Sequence, residues 1–329
     1  MKGEYGIFEH ARYDKPRPSH GYCTDDMARL LVITSREVDP GSLAITMSHD
    51  ALRFVVDAQN EKGEVRNRRD RSGRWQDAFG AEDCWGRSLW AFGTAVAHHP
   101  DETVREMSLI CFELSASLFS PWPRSMAYAA IGAYEVLQAH PDHSGAMKLL
   151  ANAEEIIGVL GSEPSWPWPE PRLTYANAVI PEAMILAGHA LGHQKVMEDG
   201  FLLLAWLLDR EMGQGHLSVT PTCGRGPNDA QPAFDQQPIE VATMADACAR
   251  AVAISACHAL PIDVWISGVA SSAAWFLGEN DAHAPMWDPE SGGGYDGLEA
   301  SGPNLNMGTE STLSVISTFQ HAQRQSLTY

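Results

Sequence analysis

Six stretches of this sequence combine a helical period with small or apolar residues on nearly every face: Asp25 to Ser35, Asp83 to Val96, Ala127 to Ala139, Asn177 to Leu191, Glu240 to Ala256 and Glu310 to Gln320. A helix that is apolar all round has no face to offer water and must lie inside a fold. Between these stretches run amphipathic ones, roughly His49 to Gln59, Glu102 to Leu118, Ser144 to Leu160, Lys195 to Arg210 and Val264 to Leu277, each charged along one side. A buried helix that recurs with an outer partner is an internal repeat of one helical hairpin. Six such hairpins predict an all-α (α/α)6 toroid, a six-hairpin barrel whose inner helices place their N-termini on one rim. Only five outer helices are visible, so the sixth is missing or the N-terminal segment stands in for it. Closed barrels run this long as one domain, and residues 1–329 are expected to form a single toroid.

The charge balance narrows the partners. Against 42 acidic residues stand 23 basic ones, a formal net charge of −19. Such a surface repels phosphate backbones and anionic lipid, so neither nucleic acid nor membrane is expected as a partner. The basic cluster Arg66, Arg68, Arg69, Arg71 and Arg74 encloses Asp70 and reads as a solvated loop. The six cysteines lie far apart with no C-x-x-C pair, which argues for reduced thiols and against a zinc site. With no positive segment leading into an apolar one at the start, and no run of about 18 apolar residues, a cytoplasmic location is expected. No cofactor and no metal are expected; the oxygen-rich stretch Asp281, Asp288, Glu290 and Asp296 lacks the EF-hand spacing and reads as a solvated loop.

The rim is where chemistry gathers. Asp25-Asp26-Met27-Ala28-Arg29 and Asp83-Cys84-Trp85-Gly86-Arg87 both read D-x-x-[A/G]-R at an inner-helix start. An aspartate there complements the helix dipole, and an arginine four residues on shares its face, so one reading is a capping and ion-pair device. The functional reading gains because polar clusters recur at other inner-helix starts: Tyr175-Ala176-Asn177, Gln237-Pro238-Ile239-Glu240 and Gly308-Thr309-Glu310-Ser311. Long connections at Glu61 to Ala81, Gly161 to Thr174, Gly213 to Gln237 and Glu279 to Met307 feed the same end, and loops of that length are usually functional. They carry Trp75, Trp166, Trp168, Trp287 and Tyr295 among Asp77, Glu170, Asp229, Asp235, Asp288 and Asp296.

Aromatic faces cover the C–H faces of sugar rings, and carboxylates and amides bind their hydroxyls. Cleaving a glycosidic bond further needs one protonated carboxyl and one ionised one. The candidate catalytic groups are Glu240, Glu310, Asp25 and Asp83, with no ranking among them. The candidate substrate-binding groups are His20, Asp26, Arg29, Trp75, Asp77, Glu82, Arg87, Trp168, Tyr175, Asn177, Asp235, Gln236, Gln237, Trp287 and Asn306.

These motifs resemble the six-hairpin glycosidase-like superfamily, and within it a group of bacterial toroid proteins loosely labelled glycosyltransferases or glycosidases. The resemblance is carried by His20-Gly21-Tyr22-Cys23-Thr24-Asp25-Asp26 with Ala28-Arg29, by Glu82-Asp83 with Gly86-Arg87, and by Leu173-Thr174-Tyr175. It continues through Phe234-Asp235-Gln236-Gln237-Pro238-Ile239-Glu240 and through Asn304, Asn306, Gly308 and Glu310-Ser311-Thr312. It implies the toroid fold and a carbohydrate-active function without a defined substrate. Where that group is expected to read Tyr-Asp-Asn-Ala-Arg, this chain has Tyr175-Ala176-Asn177-Ala178-Val179, so both charges of a third Asp/Arg pair are absent. The expectation is a glycoside hydrolase, inverting, acting on an oligosaccharide or glycoside. The alternatives are a non-catalytic glycan-binding module or accessory partner of a sugar-processing enzyme, favoured by the lost pair, and a sugar epimerase, disfavoured by the scarcity of rim histidines.

Overall fold

The computed structural model describes residues 1–328. Among the described residues there are eleven α-helices: α1 (Thr24–Arg36), α2 (Ser42–Ala58), α3 (Asp83–His98), α4 (Glu102–Ser115), α5 (Pro123–Ala139), α6 (Ser144–Ile157), α7 (Val179–Leu191), α8 (Gln194–Glu211), α9 (Pro238–Cys257), α10 (Asp263–Phe276) and α11 (Thr309–Thr328). The odd-numbered helices are the six expected inner ones, and the even-numbered are the five outer ones. Their order and alternating burial are those of an all-α (α/α)6 toroid. In α3 every residue from Cys84 to Val96 is buried, whereas α4 buries only the stripe Val104, Ser108, Cys111, Phe112 and Ser115.

Two helix starts lie well ahead of expectation for local reasons, the others falling within a turn of it. Helix α5 begins at Pro123 rather than Ala127, because proline at the first helical position has its φ preset and no N–H to waste. Helix α2 begins at Ser42, directly after Gly41, so its first turn lies ahead of the charged stretch that marked it in sequence. The long connections are not structureless either. They carry short antiparallel ladders: Tyr22–Cys23 with Arg68–Arg69, Met212–Gly213 with His216–Leu217, and Gly297–Glu299 with Gly302–Asn304.

The chain divides into two compact units, residues 1–10, 15–157 and 186–193 in the first, and 11–14, 158–185 and 194–329 in the second. In the first, α1 packs on α2 and α3, α3 on α4 and α5, and α5 on α6. In the second, α9 packs on α8, α10 and α11. The α3–α5 contact is close enough to need glycine: a Cβ on Gly93 would lie 2.0 Å from the Gly132 carbonyl oxygen, and one on Gly86 would lie 2.3 Å from that of Ser125. Both obstacles are backbone, so Gly93→Ala should destabilise the protein by at least about 2 kcal/mol despite the roughly 1 kcal/mol gain in helix propensity. A urea titration of parent and variant checks this.

All six cysteines are free; Cys23, Cys84, Cys111 and Cys248 are buried. No helix among the described residues is long and apolar enough to cross a membrane.

Candidate active site

In the first unit the two Asp/Arg motifs converge on one guanidinium. Arg87, 5% exposed in its side chain, donates from Nη1 to Asp25 Oδ1 at 3.1 Å and to Asp83 Oδ2 at 3.3 Å. The second oxygen of each aspartate has a neutral donor: Asn67 Nδ2 reaches Asp25 Oδ2 at 2.8 Å, and Ser125 Oγ reaches Asp83 Oδ1 at 3.0 Å. The aromatic ring of Tyr128 lies 4.7 Å from the Arg87 guanidinium carbon, and burial pushes its hydroxyl up to a pKa of about 12. Burial pulls the Asp25 carboxyl upward, but Arg87 and Arg29 with the Asn67 hydrogen bond more than offset it and hold the group below its ordinary value.

This arrangement refines the expected pairing. At α3 the aspartate and the arginine four residues on do pair, but at α1 the arginine's contact is one residue along: Arg29 Nη1 meets Asp26 Oδ1 at 2.8 Å, three residues apart. Neither Asp25 nor Asp83 caps its helix, because the residues at the N-cap positions are Cys23 and Glu82 and neither makes a side-chain cap. The α1 N-terminus is instead satisfied by Asn67, whose Oδ1 accepts from the Thr24 and Asp25 N–H groups. Asp77 in turn accepts from the Asn67 and Arg68 N–H groups, so it orders the loop that supplies Asn67. Glu82 and His20 are exposed, and the His20 ring meets His10 edge to face at 4.8 Å. Asn67, Ser125 and Tyr128 carried no motif of their own and were not legible as members of the site.

The basic loop is less solvated than its composition suggests. Arg66 and Arg69 lie 4.8 Å and 5.2 Å from the centre of the Trp75 ring, and Phe54 meets the same ring edge-on. Trp75 therefore serves as a seat for guanidinium groups.

In the second unit Glu240, 7% exposed, sits on the first turn of α9. Its Oε1 accepts from the Ala176 N–H at 2.5 Å, and its Oε2 accepts from the Asn177 N–H at 3.3 Å and Asn177 Nδ2 at 3.0 Å. Ala176 has a left-handed backbone, φ 45°, which turns its N–H toward that carboxylate. The residue found where relatives were expected to carry an acid thus contributes through its main chain. Beside Glu240 opens a cavity of about 120 Å³, walled by Thr174, Tyr175, Thr220, Pro221, Thr222, Cys223, Gly224 and Gln237. Tyr175 is 43% exposed, and among the described residues no lysine, arginine or histidine lines the cavity.

The remaining candidates in this unit divide between surface and core. Glu310 is half-buried on the first turn of α11, and the Asp296 carboxylate accepts from the Gly308 N–H at 2.6 Å just ahead of that helix. Asn306 accepts from the Tyr13 N–H and donates to Asn304, so it fastens its loop. Asp235 is exposed and Trp287 is half-buried against Phe319. Trp168 is 1% exposed, stacked on Trp206 and hydrogen-bonded to Glu170, while Gln236 is fully buried. These two lie in the core, where a ligand would not reach them directly. Among the described residues no group of three or more His, Cys, Asp or Glu side chains could hold a metal ion.

Solved structures share this helical arrangement. A sugar epimerase from a ruminal bacterium superposes with a TM-score of 0.71 at 12% identity, covering 98% of this chain and 93% of that one. The cellobiose 2-epimerase of Spirochaeta thermophila gives 0.68 at 11% identity, covering 99% and 92%. A GH76 α-mannanase of Bacteroides thetaiotaomicron gives 0.62 at 10% identity, covering 94% and 88%. The shared fold is the all-α (α/α)6 toroid. At these identities the six-hairpin likeness is one of architecture. No family model matches the sequence, and no curated protein matches it as a relative.

Proposed function

We propose that this six-hairpin protein is a carbohydrate-active enzyme that hydrolyses a glycosidic bond with carboxylates at its inner-helix N-termini. The observation that carries this reading is the cavity beside Glu240. Its walls offer hydroxyl, amide and main-chain groups, one aromatic ring and one carboxylate, with no cationic side chain. That chemistry suits a neutral, hydroxyl-rich ring and disfavours pairing with a phosphate or uronate. Its volume is below that of drug-sized pockets, which run to several hundred Å³, so it takes one ring rather than a chain.

Asp25 does not suit the general acid's role, because Arg87 and Arg29 favour its ionised form. Asp25 and Asp83 are tied to one buried guanidinium, an arrangement that suits ion pairing within the first unit. Glu240 and Glu310 are the leading catalytic pair, each on the first turn of an inner helix. Whether the outcome is inversion follows from the anomer first released, read by proton NMR during turnover.

The second reading is sugar epimerisation. Two of the three structures compared above are named as epimerases, and His10 and His20 place two imidazoles together ahead of α1. The readings separate in D2O. Hydrolysis adds solvent only at oxygen, whereas proton transfer at carbon during epimerisation introduces a C–D bond. A panel of neutral oligosaccharides and aryl glycosides incubated in D2O should therefore yield reducing ends without carbon-bound deuterium. Carbon-bound deuterium in the product would replace the hydrolase reading with the epimerase one, and ligand-induced stabilisation without any product would leave a glycan-binding module.

A further inference from the structure

We propose that Gln236 is a positioning residue that fixes the segment bearing Glu240 against the segment bearing Glu310; this rests on the reading of those glutamates as the catalytic pair. Gln236 has no exposed surface, and burying an amide is costly unless its donors and acceptor are satisfied. Here they are. Its Nε2 donates to Asp281 Oδ2 at 2.6 Å and to the Ala233 carbonyl at 3.1 Å, and its Oε1 accepts from Trp275 Nε1 at 3.4 Å. The other oxygen of Asp281 meets His216 Nε2 at 3.0 Å. A leucine would fill much of the same volume with none of these requirements, so the amide's contribution is direction.

The backbone of the same residue makes the connection. Gln236 N–H donates to the Leu298 carbonyl at 3.0 Å, and Leu298 N–H returns the bond at 2.8 Å. On one side of this reciprocal pair the chain enters α9 and reaches Glu240. On the other side, two residues before Leu298, Asp296 holds the Gly308 N–H at the entrance to α11, which carries Glu310 in its first turn. One buried side chain thus anchors a strand pair that both glutamates hang from. A displacement of about 1 Å at a reacting group can cost roughly 10²-fold in rate.

The test compares Gln236→Leu, Asp281→Ala and Asp281→Asn, with Glu240→Gln as control, on a p-nitrophenyl glycoside that the parent turns over, and adds crystal structures of parent and Gln236→Leu. Asparagine at 281 keeps an acceptor for Gln236, whereas alanine does not. The expected result is a fall of about 10²-fold in kcat for Gln236→Leu and Asp281→Ala with KM within about twofold, parent-like turnover for Asp281→Asn, and a shift of about 1 Å between the Glu240 and Glu310 carboxyls in the variant crystal. Should Gln236→Leu fail to fold, the two Asp281 variants carry the comparison alone. Parent-like kcat in Gln236→Leu or Asp281→Ala, equal losses in the two Asp281 variants, or unmoved carboxyls would overturn the positioning role. Full activity in Glu240→Gln would instead overturn the catalytic reading, and the crystal comparison would still decide whether Gln236 positions the two segments.

Discussion

Glu240→Gln should reduce glycoside turnover by roughly 10²–10⁴-fold, the range in which a positioned proton-transferring group contributes. Part of the effect is geometric. The carboxylate accepts from three N–H groups of Ala176 and Asn177, and a glutamine would turn an NH2 group toward one of them, losing a hydrogen bond and leaving a buried donor facing another. The accompanying loss of stability should be about 1–3 kcal/mol. A folded variant by circular dichroism with turnover reduced to that extent is the expected result. Retention of more than about a tenth of parental kcat would remove Glu240 from the chemistry.

Arg87→Leu should lower the stability of the protein by about 2–3 kcal/mol. Removing one partner of a fully buried ion pair costs about 3–5 kcal/mol. Here Asp25 and Asp83 keep 19% and 26% of their side-chain surface in contact with solvent, which moderates the penalty. The pH dependence follows from the depressed Asp25 carboxyl. Its contribution is complete above the unfolded aspartate pKa of about 4 and is lost as pH falls through the lower folded value. The parent should therefore lose this stabilisation only in strong acid. In the variant Asp25 is left without the Arg87 cation, so the deficit against the parent should narrow as the pH is lowered and Asp25 protonates. Thermal unfolding of both proteins across the acid range measures the difference, and a deficit that stays constant with pH would contradict the assignment.

The helical hairpins were legible in the sequence because burial on every face leaves a compositional trace: past Arg87, α3 carries no charged residue until it ends at His98, while α4 keeps its charges on one side. Five outer helices were visible and five are present among the described residues. The motifs at inner-helix starts also located the carboxylates, since Asp25, Asp83, Glu240 and Glu310 all lie on first turns. What sequence spacing could not supply was pairing across helices. Arg87 belongs to the second motif and serves the first as well, and no rule of i, i+4 spacing reveals a contact between residues 25 and 87. Tryptophans misled for a related reason. A loop tryptophan reads as a sugar platform, yet Trp168 is spent on Trp206 and Trp75 on two arginines. The lost Asp/Arg pair at Ala176 and Val179 likewise hid a main-chain role, because a left-handed N–H leaves no signature in residue type.

A neutral sugar ring seated in the cavity beside Glu240 is the feature on which the proposed hydrolysis depends. Isothermal titration of the Glu240→Gln variant, which should bind without turning over, with neutral monosaccharides and disaccharides and with their uronate counterparts tests it most directly. The expected result is saturable binding of a neutral sugar that is weakened at least about tenfold by Tyr175→Ala, with the corresponding uronate binding more weakly. Equal or tighter binding of the uronate, or sugar binding untouched by Tyr175→Ala, would contradict it.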